Sequence, residues 1–386
     1  MNQCTNMITQ QAVCVRLDLN VPINAQGTPV NLFKLDALIP TLRLLDRHAR
    51  AILLLTHVDS PQKAQPSLST CHLLPALTQA GFNCTFIEQP DAIAQTMAKA
   101  HTRWFISENL RFWPGEKASD ETFARQLSAG TTVYLNDAFG TVHRNDSSMT
   151  KLPLLYAADK RAVGPLIHTE LTHLAPLKKD PSRPFVGIMG GAKIQTKVNY
   201  LATLAAGITD TLLVCPPLSF ALMQAYGIAI GRSLTASLDH DTFAIIRTLV
   251  ANKKIILPID YYVQQPSGAL CIRTAHEIRD DEKGISIGPE THTLFAHYIA
   301  RAATIFFNGG MGFLERPETL EATQQLLACL AHSKAYRVIG GGDTVAMAQQ
   351  LGYSTAANFL STGGGSLLAY LAHEALPGLD ALAVRY

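Results

Sequence analysis

VIGGGDTVAMAQQL (Val338 to Leu351) and STGGGSLLAYLAHEAL (Ser361 to Leu376) each pass from apolar residues through three glycines into a helical pattern. The first part of each reads as a buried strand and the last as a helix, so both stretches are strand-to-helix junctions with bare backbone at the turn. A helix N-terminus presents unpaired N–H groups and the positive end of the helix dipole, and glycine lets a ligand come close to that backbone. Two such entrances, roughly twenty residues apart, suggest a phosphate on each. The plainer reading is a tight turn with Asp343 as an N-cap. The rest of the chain decides between them.

Working outward, short apolar runs alternate with longer helical patterns: AVCVRLDL, LDALIPTLRLLDRHA, AILLLTHV, HLLPALTQAG, CTFIEQ, WFISENL, FARQLSAG and TVYLNDAF. Parallel strands buried on both faces read as such runs and need helical crossovers, so the pattern predicts βαβ units. The alternation resumes at FVGIMGGAK and continues through TLLVCPP, IILPID, ATIFFNGG, YRVIGGGD and NFLSTGGG. Between the halves, Leu166, Leu171, Leu174 and Leu177 recur at helical spacing before a proline-rich stop, which predicts a connecting helix ending near Lys179. At 386 residues the chain is long for one domain and comfortable for two.

The composition narrows the partners. With 32 basic against 30 acidic residues, 47% hydrophobic and 16% charged, nothing suggests a nucleic-acid stripe, an acidic tail or disorder, so an anion would have to be bound locally. Seven scattered cysteines with no CxxC pair speak against a disulfide framework or a zinc knuckle and fit a reducing, cytoplasmic compartment. MNQCTNMITQ lacks a basic flank with an apolar run, and no stretch of roughly twenty uncharged apolar residues occurs, so neither export nor a membrane span is expected.

In open parallel sheets ligands sit beyond the carboxyl ends of the strands. The first half places Arg16, Asp18 and Asn20 (VRLDLNVP), His57 (LLLTHV), Arg111 (ENLRFWPGE), and His143 with Arg144 (NDAFGTVHR) there. The second places Gly190, Gly191, Lys193 and Lys197 (MGGAKIQTK), Asn308 (FFNGGMG) and the two glycine runs. Singly, Arg111 and Arg144 read as surface ion pairs and His57 as a core histidine. Lys193 and Lys197, four apart on one helical face, repel mildly unless an anion lies between them. Convergence on one sheet edge favours phosphate on both halves, with an Asp beside a glycine run able to hold Mg²⁺. Neither a GxxxxGK[ST] loop nor a GxGxxG after the first strand is present.

Taken in order, VRLDLNVP, ENLRFWPGE, NDAFGTVHR, GGAKIQTK, NGGMGFLE, VIGGGDTV and STGGG with a following LPG make the chain resemble the phosphoglycerate kinase family from its first strand to its last helix. The resemblance implies two Rossmann-like α/β domains facing a cleft, joined by an interdomain helix and closing on the substrates. It places a phosphoglycerate-binding domain at 1–162, the helix at 163–180, a nucleotide-binding domain at 181–366 and a segment returning to the first domain at 367–386. It implies reversible phosphoryl transfer between 1,3-bisphosphoglycerate and Mg-ADP, giving 3-phosphoglycerate and ATP, by a monomer that needs neither nucleic acid nor membrane. By position, Asp18, Asn20, Lys34, His57, Ser60, Arg111 and Arg144 would face the phosphoglycerate. Gly191, Lys193, Lys197, Asn308, Gly341, Gly342, Asp343, Thr344 and the amides of Gly364 and Gly365 would face the nucleotide phosphates. Glu315 would take the ribose and Asp343 the magnesium, while Lys34, Lys197, Gly342 and Gly365 would serve the transfer itself.

Three positions depart from the family pattern. Lys34 stands six residues before Pro40, where the resemblance implies a catalytic arginine, and lysine lacks the planar fork that meets two oxygens at once. In THVDSP, Ser60 stands where a substrate-binding arginine is expected. Cys215-Pro216-Pro217 replaces glycines beside the expected adenine position, adding ring bulk and removing amide donors. Two smaller departures are Thr196 in place of an Asp and Gly310 in place of a proline. These changes leave a second reading open, a weakened paralogue acting as a binding or regulatory protein.

Overall fold

The computed structural model describes residues 2–236, 238–250, 252–313 and 316–386. It divides into two compact units, one formed by the chain through His173 together with Ala375–Tyr386, the other by Leu174–Glu374.

The apolar runs of the first half form six parallel strands: β1 (Ala12–Leu17), β2 (Ala51–Leu55), β3 (Cys84–Ile87), β4 (Trp104–Ser107), β5 (Val133–Asp137) and β6 (Arg161–Val163). Their order across the sheet is β3-β4-β2-β1-β5-β6. The direction of winding reverses beside β1, which pairs with both β2 and β5. Such a switch point opens a crevice at the carboxyl ends, so the residues that follow β1 are placed where a ligand can enter. The helix Phe33–His48 turns Leu35, Leu38, Leu42 and Leu45 onto one face, and these pack with Val13, Val15, Ile52 and Leu54 of the central strands. That packing fixes the helix entrance, and Lys34 with it, beside the end of β1.

The second unit repeats the plan with β7 (Phe185–Met189), β8 (Thr211–Val214), β9 (Ile255–Ile256), β13 (Thr304–Asn308), β14 (Tyr336–Gly340) and β15 (Phe359–Ser361). Their order is β15-β14-β13-β7-β8-β9, with the reversal between β7 and β13. A separate antiparallel sheet, order β11-β10-β12, is built from β10 (Asp260–Gln264), β11 (Leu270–Thr274) and β12 (Lys283–Ile287). The sequence pattern did not signal this sheet. IILPID reads as one strand, whereas only Ile255–Ile256 pairs with β8 and Asp260 already begins β10. Pro258 between them has no N–H to give a ladder, so the run breaks there.

The connecting helix runs from Pro165 to Lys179, and the units divide inside it. Its start is fixed by Asp137 at the end of β5, whose carboxylate accepts from the backbone N–H of Leu166 at 3.2 Å and of Ile167 at 2.9 Å, and from the Thr41 hydroxyl. Gly164 is required there, since a Cβ would lie 2.3 Å from the Asp137 carboxyl carbon. The family resemblance places the start of the returning segment at 367, whereas residues through Glu374 group with the second unit. Packing explains the difference: the helix Gly365–Leu371 is buried along its length, with Leu367 set tightly against Gly340. The return begins at Ala375, where the Gly378 N–H donates to the Val142 carbonyl at 2.9 Å. All seven cysteines are free. Among the described residues no helix is long and apolar enough to cross a membrane.

Candidate functional site

In the first unit the polar residues that follow β1, β2, β4 and β5 converge. Asp18 is buried; its carboxylate accepts from Lys34 Nζ at 2.7 Å and from the Asn20 N–H at 3.2 Å. Asn20 Oδ1 in turn accepts from the Asp59 N–H at 2.8 Å, tying the loop after β2 to the loop after β1. His57 is 2% exposed, and Arg16 Nη2 lies 3.2 Å from its Nδ1. Burial holds the His57 imidazole well below its ordinary pKa, and Arg16, Arg111, Lys34 and Arg144 add to the effect.

Arg111 is not a surface ion pair. It is buried, and its Nη1 donates to the Asp59 carbonyl at 2.6 Å. Its Nε and Nη2 make no hydrogen bond; Asp146 Oδ2 forms an ion pair with Nη2 at 3.7 Å, too far for a hydrogen bond, and has no hydrogen-bond partner of its own. His143 Nδ1 is likewise buried without a partner. Burial, then Arg144, pulls Arg111 down to about 10 and His143 to about 4. Buried donors without hydrogen-bond acceptors are costly, and those of Arg111 belong to a cation at a switch point, so an anion would satisfy them. Arg144 is exposed. Ser60 is exposed as well, and its N–H is turned back onto Asp59 Oδ1 at 2.8 Å.

In the second unit the switch point lies under Lys197, on the helix Ile194–Ala206 whose N-cap is Lys193. Lys197 Nζ donates to the Gly190 carbonyl and, at 2.8 Å, to Asn308 Oδ1, so it spans the ends of β7 and β13. Burial pulls its pKa down to about 8; Asp343 opposes the shift and Lys193 adds to it. Lys193 itself is exposed. Asn308 Nδ2 donates to the Gly340 carbonyl at 3.0 Å, which extends the polar row to β14. Only glycine fits at 309, where φ is +105° and a Cβ would lie 2.1 Å from the Gly190 carbonyl oxygen.

The two glycine runs sit side by side. The Gly341 N–H donates to the Gly363 carbonyl at 2.9 Å, and Gly364 lies against the Gly341 Cα. Gly341, at φ +96°, is the N-cap of the helix Gly342–Gln350, so Asp343 is not the cap; it is exposed in the first turn, where a negative charge suits the helix dipole. Nothing crowds Gly342. Thr344 is buried, and its hydroxyl accepts from the Gly309 N–H at 2.7 Å, so its side chain holds the turn after β13. Gly365 opens the next helix, and Ser366 Oγ is buried there without a partner, a feature that nothing in STGGGS distinguishes from an ordinary small residue. Glu315 lies outside the described residues.

Cys215 and Pro216 are buried and Pro217 is half-buried before the helix Leu218–Ala225. The Pro216 carbonyl accepts from the Gly191 N–H at 3.3 Å, so this segment braces the turn after β7. Among the described residues no group of three or more His, Cys, Asp or Glu could hold a metal ion. A lone exposed carboxylate beside open helix amides is nonetheless the donor set that suits Mg²⁺, which keeps waters and binds through one or two carboxylates plus substrate phosphates.

Comparison with known proteins matches residues 4–374 to the family model described as Phosphoglycerate kinase. The chain is similar to the phosphoglycerate kinase of Rhodopirellula baltica, with 33% identity over 389 residues and 97% of each chain covered. It is similar to that of Streptomyces avermitilis, with 34% identity over 400 residues and 96% of each covered. Among solved structures it resembles phosphoglycerate kinase from Coxiella burnetii, with a TM-score of 0.75, 25% identity and 97% of both chains covered. The enzyme from Pyrococcus horikoshii OT3 shares the fold at a TM-score of 0.85, with 23% identity over 97% of this chain and 96% of that one.

Proposed function

The chain belongs to the phosphoglycerate kinase family, and from that premise we propose which of its residues carry the reaction. The enzyme is a phosphotransferase of glycolysis that moves a phosphoryl group reversibly between 1,3-bisphosphoglycerate and ADP, giving 3-phosphoglycerate and ATP. In our assignment the first unit holds the phosphoglycerate through Asn20, His57, Arg111 and Arg144, with Asp18 orienting Lys34, and Ser60 offers a hydroxyl where a cation would bind harder. The second unit holds the nucleotide through Lys193, Lys197, Asn308 and the open amides after Gly191, Gly341 and Gly364. Asp343 would hold the Mg²⁺, which would supply charge neutralisation on the phosphates. Phosphoryl transfer asks mainly for positioning and charge neutralisation, and both units supply cations or amides without a covalent nucleophile. We assign the enzyme to the cytoplasm as a monomer.

Arg111 carries the acceptor half of this reading, because a buried guanidinium with two nitrogens that make no hydrogen bond, only a 3.7 Å ion pair with Asp146, is a ready anion site. Arg111→Met is expected to weaken 3-phosphoglycerate binding about 10- to 150-fold, the loss of a charge-assisted contact of roughly 1.5–3 kcal/mol. Titration calorimetry with the wild type and the variant reads this directly, and equal affinities would remove Arg111 from the site.

Lys34 keeps the charge expected at its position, but its ammonium is paired with Asp18 at 2.7 Å. Restoring forks at both altered places, Lys34→Arg with Ser60→Arg, should raise turnover or tighten 3-phosphoglycerate binding, each contact being worth roughly 1.5–3 kcal/mol. Steady-state kinetics in which neither kcat nor KM moves would mean that the chain has re-routed its acceptor contacts.

Cys215-Pro216-Pro217 offers little to read a base edge: prolines have no N–H, and the Pro216 carbonyl is already engaged by Gly191. Nucleotide affinity should therefore come from the phosphates and Mg²⁺. ADP and GDP are expected to bind with dissociation constants within roughly tenfold, a gap of about 1.4 kcal/mol. A strong calorimetric preference for ADP would show that this wall still builds a specific adenine pocket.

A further inference from the structure

Resting on the placement of His57 in the acceptor site, we infer that Arg16 is a positioning residue. It fixes His57 as the neutral tautomer with its proton on Nε2, so that the ring meets the acceptor as a hydrogen-bond donor and not as a cation.

The geometry allows no other assignment. Arg16 Nη2 stands 3.2 Å from His57 Nδ1, and a guanidinium offers only N–H groups. Nδ1 must therefore supply a lone pair, and the single proton of a neutral imidazole goes to Nε2. An imidazolium would point an N–H at an N–H. Arg16 cannot swing aside to relieve that clash, because every part of its fork is held. Its Nε donates to Ser148 Oγ at 2.8 Å, its Nη1 to the Leu17 carbonyl, and Glu116 Oε1 lies 3.9 Å from Nη2. Glu116 is anchored in turn, accepting from Ser148 Oγ at 2.6 Å and from the Ser148 N–H at 3.0 Å. Arg16 and Glu116 are both fully buried, so this frame lies behind the site and is closed to water.

The charged groups acting on the ring reinforce the same state. Arg16 from β1, Lys34 from the helix Phe33–His48, and Arg111 and Arg144 from the loops after β4 and β5 all oppose a positive imidazole. A histidine in such a ring of cations would normally be lost as a binding group, since it repels nothing and attracts little. With Nδ1 capped by Arg16 it keeps one directed donor, unchanged across the pH range in which free histidine titrates.

The test is nitrogen NMR of the His57 ring in the full-length protein, assigned by comparison with His57→Gln, between pH 5.5 and 8.5 (a range spanning the ordinary histidine pKa of about 6.5), with and without 3-phosphoglycerate. The expected result is a bare Nδ1, a protonated Nε2 and no titration, with an Nε2 shift on adding the acceptor. A ring protonated on Nδ1 that still shifts with acceptor overturns the tautomer assignment while leaving His57 in the site. A ring with the expected tautomer that ignores saturating acceptor overturns the reading of the site and the positioning role with it. Removing Arg16 alone would strand the buried Glu116 charge, so the variant is Arg16→Met with Glu116→Gln, which removes both charges together. In that protein burial and the remaining cations still keep His57 neutral, but the ring should show both tautomers, and KM for 3-phosphoglycerate should rise about tenfold with a smaller effect on kcat, matching one lost oriented donor. A single Nε2–H tautomer retained in the double variant would overturn the inference. If the double variant fails to fold, the wild-type spectrum decides alone.

Discussion

Lys197→Ala should lower kcat/KM for ATP by about three orders of magnitude, which is ~4 kcal/mol of transition-state stabilisation. Lys197 Nζ already touches the Gly190 carbonyl and Asn308 Oδ1 at the ends of the two strands where the winding reverses. A phosphate there would exchange weak neutral acceptors for a charged one in a partly dry setting. Its depressed pKa gives the loss a pH signature. Burial disfavours the ammonium and brings the pKa to about 8, whereas a bound phosphate favours it, so nucleotide binding takes up a proton near and above that pH. Wild-type affinity for ATP should fall as pH rises through about 8, and the variant should lack this dependence. For the fold itself the sign is reversed: the charged lysine costs stability below about 8, and the cost fades as pH climbs toward the ordinary 10.5. Calorimetry in buffers of different ionisation heat reads the proton uptake; a pH-independent wild type would remove Lys197 from the phosphate.

Asp343→Ala is expected to remove most turnover at limiting Mg²⁺, about 100-fold or ~2.7 kcal/mol, with partial recovery as Mg²⁺ is raised. The carboxylate is exposed in the first turn of the helix Gly342–Gln350, next to uncrowded Gly342, and it acts electrostatically on Lys197. It is thus near the same phosphates without being committed to the protein. Rates measured against Mg²⁺ concentration separate a metal ligand from a general electrostatic role. Wild-type-like rates in the variant at limiting Mg²⁺ would reject the assignment.

The strand ends were readable because buried parallel strands carry an unbroken apolar signal, and whatever follows them must lie at the ligand edge. Both glycine runs, Lys197 and Asn308 fall there, and backbone and side-chain hydrogen bonds connect them in one row. What the pattern could not separate is a side chain that meets the ligand from one that holds its neighbour. Arg16, Arg111 and Arg144 look alike in sequence, yet one is locked behind the site, one is buried with free donors and one is exposed. Thr344 reads as a phosphate ligand, and its hydroxyl oxygen also accepts from the Gly309 N–H, a bracing role that the sequence does not report. The antiparallel sheet of β10, β11 and β12 escaped because β11 alternates between exposed and half-buried residues and carries no strong apolar run. The Glu116 and Ser148 frame around Arg16 joins residues far apart in the chain, a long-range relation that no local spacing reports.

The most direct test of the whole account is a coupled assay of the purified chain with ATP, 3-phosphoglycerate and Mg²⁺. Turnover that requires all three, and that collapses in both Lys197→Ala and Arg111→Met, is the predicted result. Sustained turnover in either variant, or none in the wild type although both substrates bind, would contradict it.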